Sequence, residues 1–305
     1  MSAGLTDPLT DTVIDVSAPA ATPVTAPVAA TAEPPRARRR RRLPAPGLIV
    51  AIAVLALAVA WVIIPSVFAP ADPLTGVPAD KLQGPSLAHL FGTDQLGRDV
   101  LTRVVHGAVH SLTGALVAVL VGLVVGTVVG VLSGSIGGIV DDVLMRIVDV
   151  LLAIPGLLLS LSVIILLGFG TVNAAIAVGI GSIASFARLS RSEVVRVRRT
   201  DYVEAAFGSG GRFLTVLRRH VLPNSLTAVL GLAALQFGTA ILAISTLGFL
   251  GYGAPPPTPE WGLLIAEGRN YVATAWWLTV FPGLVVLAVV LSANRLSQAI
   301  SRRTR

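Results

Sequence analysis

Cysteine is absent from the 305 residues, which excludes disulfides, thiolate zinc or iron–sulfur ligation and a cysteine nucleophile. Lysine occurs once, at Lys81; every other one of the 23 basic residues is arginine. A phosphate-binding loop needs a lysine behind a run of glycines to reach the terminal phosphates of ATP. Lys81 stands in Ala79-Asp80-Lys81-Leu82 with no glycine loop before it, so this chain does not hydrolyse ATP by that chemistry. Charge of either sign is scarce: 13% of residues are charged, where a soluble domain carries about 25%. Hydrophobic residues make up 54% and the mean hydropathy is +0.81. So little charge cannot cover a water-facing surface of this size, and so much apolar content excludes a chain disordered throughout.

What the sequence does have is a series of long apolar runs. Residues 1–46 lack periodicity, are rich in Ala, Pro, Thr and Ser, and end in the basic run Arg36 and Arg38–Arg42. They read as a disordered basic cytoplasmic tail whose arginines set topology rather than bind nucleic acid. Gly47–Ile64 follows uncharged for 18 residues, enough for a bilayer core about 30 Å thick. The long preceding segment and the length of the run speak against a cleaved signal peptide, although Val67-Phe68-Ala69 mimics a cleavage site. Further runs lie near Ser111–Ser133, Val143–Phe169, Val172–Ala187, Leu226–Leu250 and Trp277–Leu291. The expected organisation is a first transmembrane helix at 47–65 and an extracytoplasmic segment at 66–108. A five-helix core at 109–298 with a cytoplasmic loop at 188–223 comes next, then a basic cytoplasmic tail at 299–305. The fold class is all-α integral membrane with six transmembrane helices.

Arginine placement orients these spans. Six arginines lie in the amino-terminal tail, eight in 188–223, four at the carboxyl end, and Arg146 joins them at the inner end of the third run. The opposite side has Lys81, Arg98, Arg103 and Arg269. Both termini are therefore expected in the cytoplasm, with Trp276 and Trp277 in an interfacial aromatic belt. Eight arginines cannot cross the bilayer, since each costs roughly 2.5–3.5 kcal/mol at its centre, so 188–223 faces water.

Small residues at Gly114, Ala118, Gly122, Gly126, Gly130 and Gly134 recur every four positions and line one helix face. That face suits close helix packing within the chain, or a homodimer contact. In the cytoplasmic loop, Asp201 with Glu204 three residues on has the form of a capping box. Gly208, Gly210 and Gly211 then break the helix. Phe213, Val216, Leu217 and His220 follow an amphipathic spacing, and Pro223 is expected to end that segment. On these residues alone, an ordinary basic loop that only sets topology remains an equal reading.

Glu204-Ala205-Ala206, Gly210 and Leu222-Pro223 resemble the EAA loop of permease subunits in ABC importers. His220-Val221-Leu222-Pro223-Asn224 matches the form of that loop in importers of peptides and nickel. Three further segments, in order, resemble the second (C-type) permease of dipeptide, oligopeptide and nickel importers. They are Gly92-Thr93-Asp94-Gln95-Leu96-Gly97-Arg98-Asp99; Met145-Arg146-Ile147-Val148-Asp149 with Ile154-Pro155; and Leu247-Gly248-Phe249-Leu250-Gly251 with Pro256, Pro257 and Trp261-Gly262. The resemblance spans roughly residues 47–298 and implies the type I ABC importer permease fold in a bacterial inner membrane. It implies that Glu204, Ala205, Ala206, Gly210, Leu222 and Pro223 couple to a separate ATPase subunit, which carries the ATP and Mg, so that this chain binds no cofactor. It also implies a homologous permease partner, an extracytoplasmic solute-binding protein, surrounding membrane lipid and no nucleic-acid partner. Di- or oligopeptides are the expected solute, with nickel or another small solute as the alternative.

Among other residues, Gln236 and Thr239 are polar within the fifth run and are expected to line the solute path. His106 and His110 lie one helical turn apart, but a metal site needs further ligands that the sequence does not supply. Asp142, Arg146 and Asp149 have the spacing to pair along one helix face. The outer segment 251–276, with Glu260 and Glu267, reads either as a dock for a binding protein or as a structural cap. No arrangement of nucleophile and base suggests catalysis, which disfavours an intramembrane hydrolase. The acidic residues lie near helix ends or in loops, which disfavours an ion-driven secondary transporter.

Overall fold

A computed structural model describes residues 46–303. The basic tail read at 1–46 lies outside the described residues but for Pro46, as do residues 304–305 of the carboxyl tail. Helices are the regular elements of the described residues, joined by longer irregular stretches at 69–99 and 250–260, and the only β-bridge among them joins Thr93 and Asp99. Helix α1 covers Pro46–Ile63, and α2 Val100–Ile136. Helices α3 (Gly138–Ala153) and α4 (Gly156–Leu167) follow, then α5 (Thr171–Arg198) and the short α6 (Asp201–Gly208). Helix α7 runs from Phe213 to Phe249, α8 covers Trp261–Gly268 and α9 Trp277–Arg303. Five of these helices are long and apolar enough to cross a membrane. The α3–α4 pair makes a sixth if counted as one broken span.

That pair corrects the expectation of a single third helix near Val143–Phe169. The two halves meet at 97°, with Ile154 and Pro155 between them. Ile154 is extended (φ −86°, ψ 127°), the conformation that a following proline favours. Several boundaries also move. Helix α2 starts at Val100 because Asp99 Oδ1 accepts the Thr102 N–H at 2.7 Å. Helix α5 continues well beyond the apolar run and carries Arg188, Arg191, Arg196 and Arg198 as helical residues. Helix α9 extends to Arg303, so most of the 299–305 tail is helical.

The glycine stripe of α2 packs inside the chain, against α5. A Cβ on Gly126 would lie 2.5 Å from the Ile183 carbonyl oxygen and 2.6 Å from Phe186 Cβ. On Gly130 it would lie 2.6 Å from Ser190 Cβ, and on Gly134 2.9 Å from the Arg191 carbonyl oxygen. Backbones this close gain dispersion that lipid cannot supply to the same surfaces. The main core joins α1, α2, α4, α5, α7, α8 and α9 around Val104, Ile164, Phe186, Ile241, Leu247 and Trp261.

Candidate coupling loop and membrane cleft

The loop after α5 builds from its caps. The residue before α6 is Thr200, in extended conformation, and no side chain caps the helix. The capping box expected at Asp201 and Glu204 is therefore not formed. Thr200 Oγ1 instead donates back to the Val197 carbonyl at 2.6 Å, so Asp201 is drawn into the helix. Asp201 and Glu204 still lie in the first turn, where negative charge suits the helix dipole. At the other end, the Gly210 N–H donates to Phe207 O at 2.9 Å and the Gly211 N–H to Ala206 O at 3.1 Å. Gly210 has φ +84°. This is a Schellman ending, which demands a left-handed residue at the position Gly210 fills. Gly211 is held by space: a Cβ there would lie 2.8 Å from Val216 Cγ2.

Helix α6 thereby acquires two faces. Val203 and Ala206 turn inward onto Val131, Val194, Val197, Val216, Leu217 and Val221. Asp201, Tyr202, Glu204, Ala205 and Phe207 stay exposed, as do Gly210, Phe213 and Leu214 across the turn. Pro223 does not end the second segment. The helix passes through it by a π turn over Leu217–Val221, with the Leu222 N–H bonded to Leu217 O. The wider turn accommodates a residue that brings no N–H to the ladder. Asn224 Nδ2 donates to His220 O at 2.7 Å, and the His220 and Tyr202 rings lie 6.3 Å apart. The signature residues on α6 and those at Leu222-Pro223 thus flank one packed cluster.

Arginines tie this loop to the rest of the chain. Arg191 grips Asp141 of α3 through Nε and Nη2, both at 2.5 Å, and Ser133 also bonds Asp141. Arg188 pairs with Asp149 at 2.6 Å, both side chains 60% exposed. The expected pairing of Asp142, Arg146 and Asp149 along one face is therefore replaced, for Asp149, by a bond to α5. Arg198 Nη1 donates to Gly134 O at 3.0 Å and Ser135 O at 2.5 Å, at the end of α2.

Gln236 and Thr239 line a cleft of about 170 Å³ between α2, α4, α5 and α7. Ser160 of α4 and Ser182 of α5 join them there, and small residues such as Ala118, Gly156, Gly181, Ala240 and Ala243 keep it open. Thr239 Oγ1 donates at 2.8 Å to Gln236 Oε1, which leaves the Gln236 amide N–H groups outside that bond. A second cleft of about 220 Å³ shares Gly156, Ser160 and Ala243 and continues along α7 to Thr246. Ser160 and Ser182 gave no signal in the sequence, because the bend at Pro155 is what turns Ser160 toward α7.

The end of the bundle that carries the segment between α1 and α2 is held by buried charge. Asp94 accepts from Arg98 Nε at 2.6 Å and Arg103 Nη1 at 3.0 Å, and Arg103 reaches Glu267 at 2.5 Å. Arg98 and Arg103, counted from sequence as outer surface charges, are 3% and 1% exposed. Glu260 is 1% exposed and caps α8, accepting from the Gly262 and Leu263 N–H groups, each at 2.9 Å, and from Ser111 Oγ at 3.0 Å. Both acids of segment 251–276 are thus spent on internal contacts. Trp277 is a correction as well: it is 8% exposed and its Nε1 donates to Thr93 O at 3.1 Å, leaving Trp276 alone at the surface. His106 and His110 border a cavity of about 290 Å³ with Asp72 and Thr258. His106 Nδ1 bonds Thr102 O of its own helix at 2.9 Å. Among the described residues no three His, Cys, Asp or Glu side chains group as metal ligands.

Comparison with known proteins agrees with this architecture. The chain is 37% identical over 223 residues to the dipeptide transport system permease protein DppC of Alkalihalophilus pseudofirmus, covering 73% of each chain. It is 39% identical over 264 residues to the glutathione transport system permease protein GsiD of Shigella flexneri, covering 86% of this chain and 85% of that one. Among solved structures, an inward-facing form of the MetNI methionine ABC transporter superposes with TM-score 0.51 at 20% identity. It covers 65% of this chain and 96% of its own. An amino acid ABC transporter with histidines gives 0.53 at 16% identity, covering 66% and 94%. The helical fold is thus that of ABC importer membrane subunits. Residues 126–305 match the model of binding-protein-dependent transport system inner membrane components, and the chain belongs to that family.

Proposed function

We propose that this chain forms half of the solute path of an ATP-driven importer for di- or oligopeptides and takes its work stroke from a separate ATPase gripped at α6. The observation that carries the reading is the two-faced α6: an apolar inner face rooted in the cluster around Val203, and an outer face of Glu204, Ala205, Tyr202 and Phe207 left for a partner. ATP and Mg²⁺ belong to that partner, since Lys81 lacks the glycine loop that would cradle a phosphate. A homologous permease supplies the other half of the path, because Thr239 and Thr246 are exposed on the cleft side of α7. An extracytoplasmic solute-binding protein delivers the cargo. The relatives named for dipeptides and glutathione support a peptide, and a mostly apolar, uncharged cleft in which Ser160, Ser182, Thr239 and Gln236 supply hydroxyl and amide groups suits its backbone. Closing of the ATPases moves α6, and packed helices pass the shift to the cleft as a change between two arrangements.

Reconstitution with the partner permease, ATPase and binding protein tests this. Tritiated dialanine or glutathione should accumulate only with ATP. Glu204→Lys and Gly210→Asp should each lower uptake about tenfold while the subunits still copurify. Uptake by the chain alone under an ion gradient, or unchanged uptake in both variants, refutes the proposal.

A further inference from the structure

We infer that Arg198 is a positioning residue that carries movement of the α6 loop to the α2–α3 corner, and so to the cleft; this rests on the functional reading above. Helix α2 ends at Ile136, and its last carbonyls have no partner further along the helix. Arg198 Nη1 supplies one to both Gly134 O and Ser135 O, at 3.0 and 2.5 Å. A cation at a helix carboxyl end is favoured by the dipole as well. The same guanidinium lies 6.0 Å from the centre of the Phe213 ring, a cation–π distance. Phe213 opens α7 on the far side of the glycine turn, so one side chain touches both the end of α2 and the exit from the loop.

The second half of the link lies two turns earlier on α5. Arg191 and Arg198 are seven residues apart and share a face, and Arg191 holds Asp141 in the first turn of α3. The corner formed by the end of α2 and the start of α3 is therefore fastened to α5 on both sides of Gly137. Helix α3 leads to the bend at Pro155, and Gly156 and Ser160, just beyond it, line the cleft. A shift of Phe213 reaches the cleft through Arg198, the corner and α3, each a discrete packed contact.

Arg198→Met keeps the apolar stem and removes the donors and the charge. In the reconstituted complex, with tritiated dialanine and glutathione as probes, it should lower uptake about tenfold while ATP hydrolysis without binding protein stays within about twofold of the parent. Arg198→Lys, which keeps a cation and donors, should recover most of the uptake. Phe213→Leu keeps apolar volume but removes the ring, and should lower uptake in the same direction. The double variant Arg198→Met with Phe213→Leu should be no worse than Arg198→Met alone. Parental uptake in the Met variant, an equal fall of uptake and hydrolysis, no recovery with Lys, or additive losses in the double variant each overturn the inference. Should Arg198→Met fail to assemble, parental uptake in Phe213→Leu overturns it instead. The unaltered complex separates the two claims. Without ATP-driven uptake there, the functional reading falls and takes this inference with it; with uptake there and an indifferent Met variant, this inference alone falls.

Discussion

Glu260 sits at the junction of α2, α7 and α8, and its three donors, Ser111 Oγ and the Gly262 and Leu263 N–H groups, are all neutral. Gly248 of α7 leaves the space its Oε2 fills. Burial raises the carboxyl above its ordinary 4.5, outweighing the donors that favour the anion. The folded chain then keeps a proton that the unfolded chain has lost, so this group's contribution to stability falls as pH rises from 4.5 through the raised value. Glu260→Gln, which resembles the neutral acid and does not titrate, should remove this dependence: melting temperatures of parent and variant in detergent, compared across about pH 4 to 8, should lie closest at low pH and separate as pH rises, the parent falling. Parallel curves would refute this. Little of this scale was legible in the sequence. Asp94 and Arg98 are neighbours in a recognisable segment, but Glu267 meets Arg103 across a separation of 164 residues that no local pattern encodes.

Helices were legible where one force shaped them. The four-residue stripe on α2 predicts a close partner, because only a neighbouring backbone rewards the absence of side chains; that the partner is α5 required the structure. Gly126→Val should push α2 from α5 and cost about 1–3 kcal/mol by overpacking. Gly283→Ala on α9, where a Cβ meets nothing within 4 Å, should be neutral or gain up to about 1 kcal/mol from helix propensity. Thermal unfolding in detergent checks both, and equal effects would refute the packing argument. The bend at Pro155 escaped because hydropathy reports the solvent of a segment and not its direction: Leu151 to Leu159 is apolar on both sides of the break. The cap fell one residue early for a related reason. Asp201 has the preferred side chain, but Thr200 found a carbonyl to bond.

At the scale of the whole chain, arginine placement predicts which side each loop faces, and the cysteine-free sequence makes the test direct. Leu87 is 99% exposed on the segment between α1 and α2, and Ser209 is exposed on the turn after α6. A single cysteine at Leu87 should react with a membrane-impermeant maleimide in intact cells, and one at Ser209 only after permeabilisation. The reverse pattern would invert the topology and remove α6 from any cytoplasmic ATPase.

The right-angled break has a consequence for how the chain is made. Helix α4 has 12 residues and reaches about 18 Å, well short of a hydrocarbon core of about 30 Å. Such a leg cannot be halted and released into lipid as an independent span during synthesis. Even with α3 counted as the other half of a broken span, it turns away at 97°, so α5, joined to α4 through Gly168–Gly170, is expected to enter with it as a hairpin, which ties formation of the cleft to synthesis of the arginine-rich end of α5.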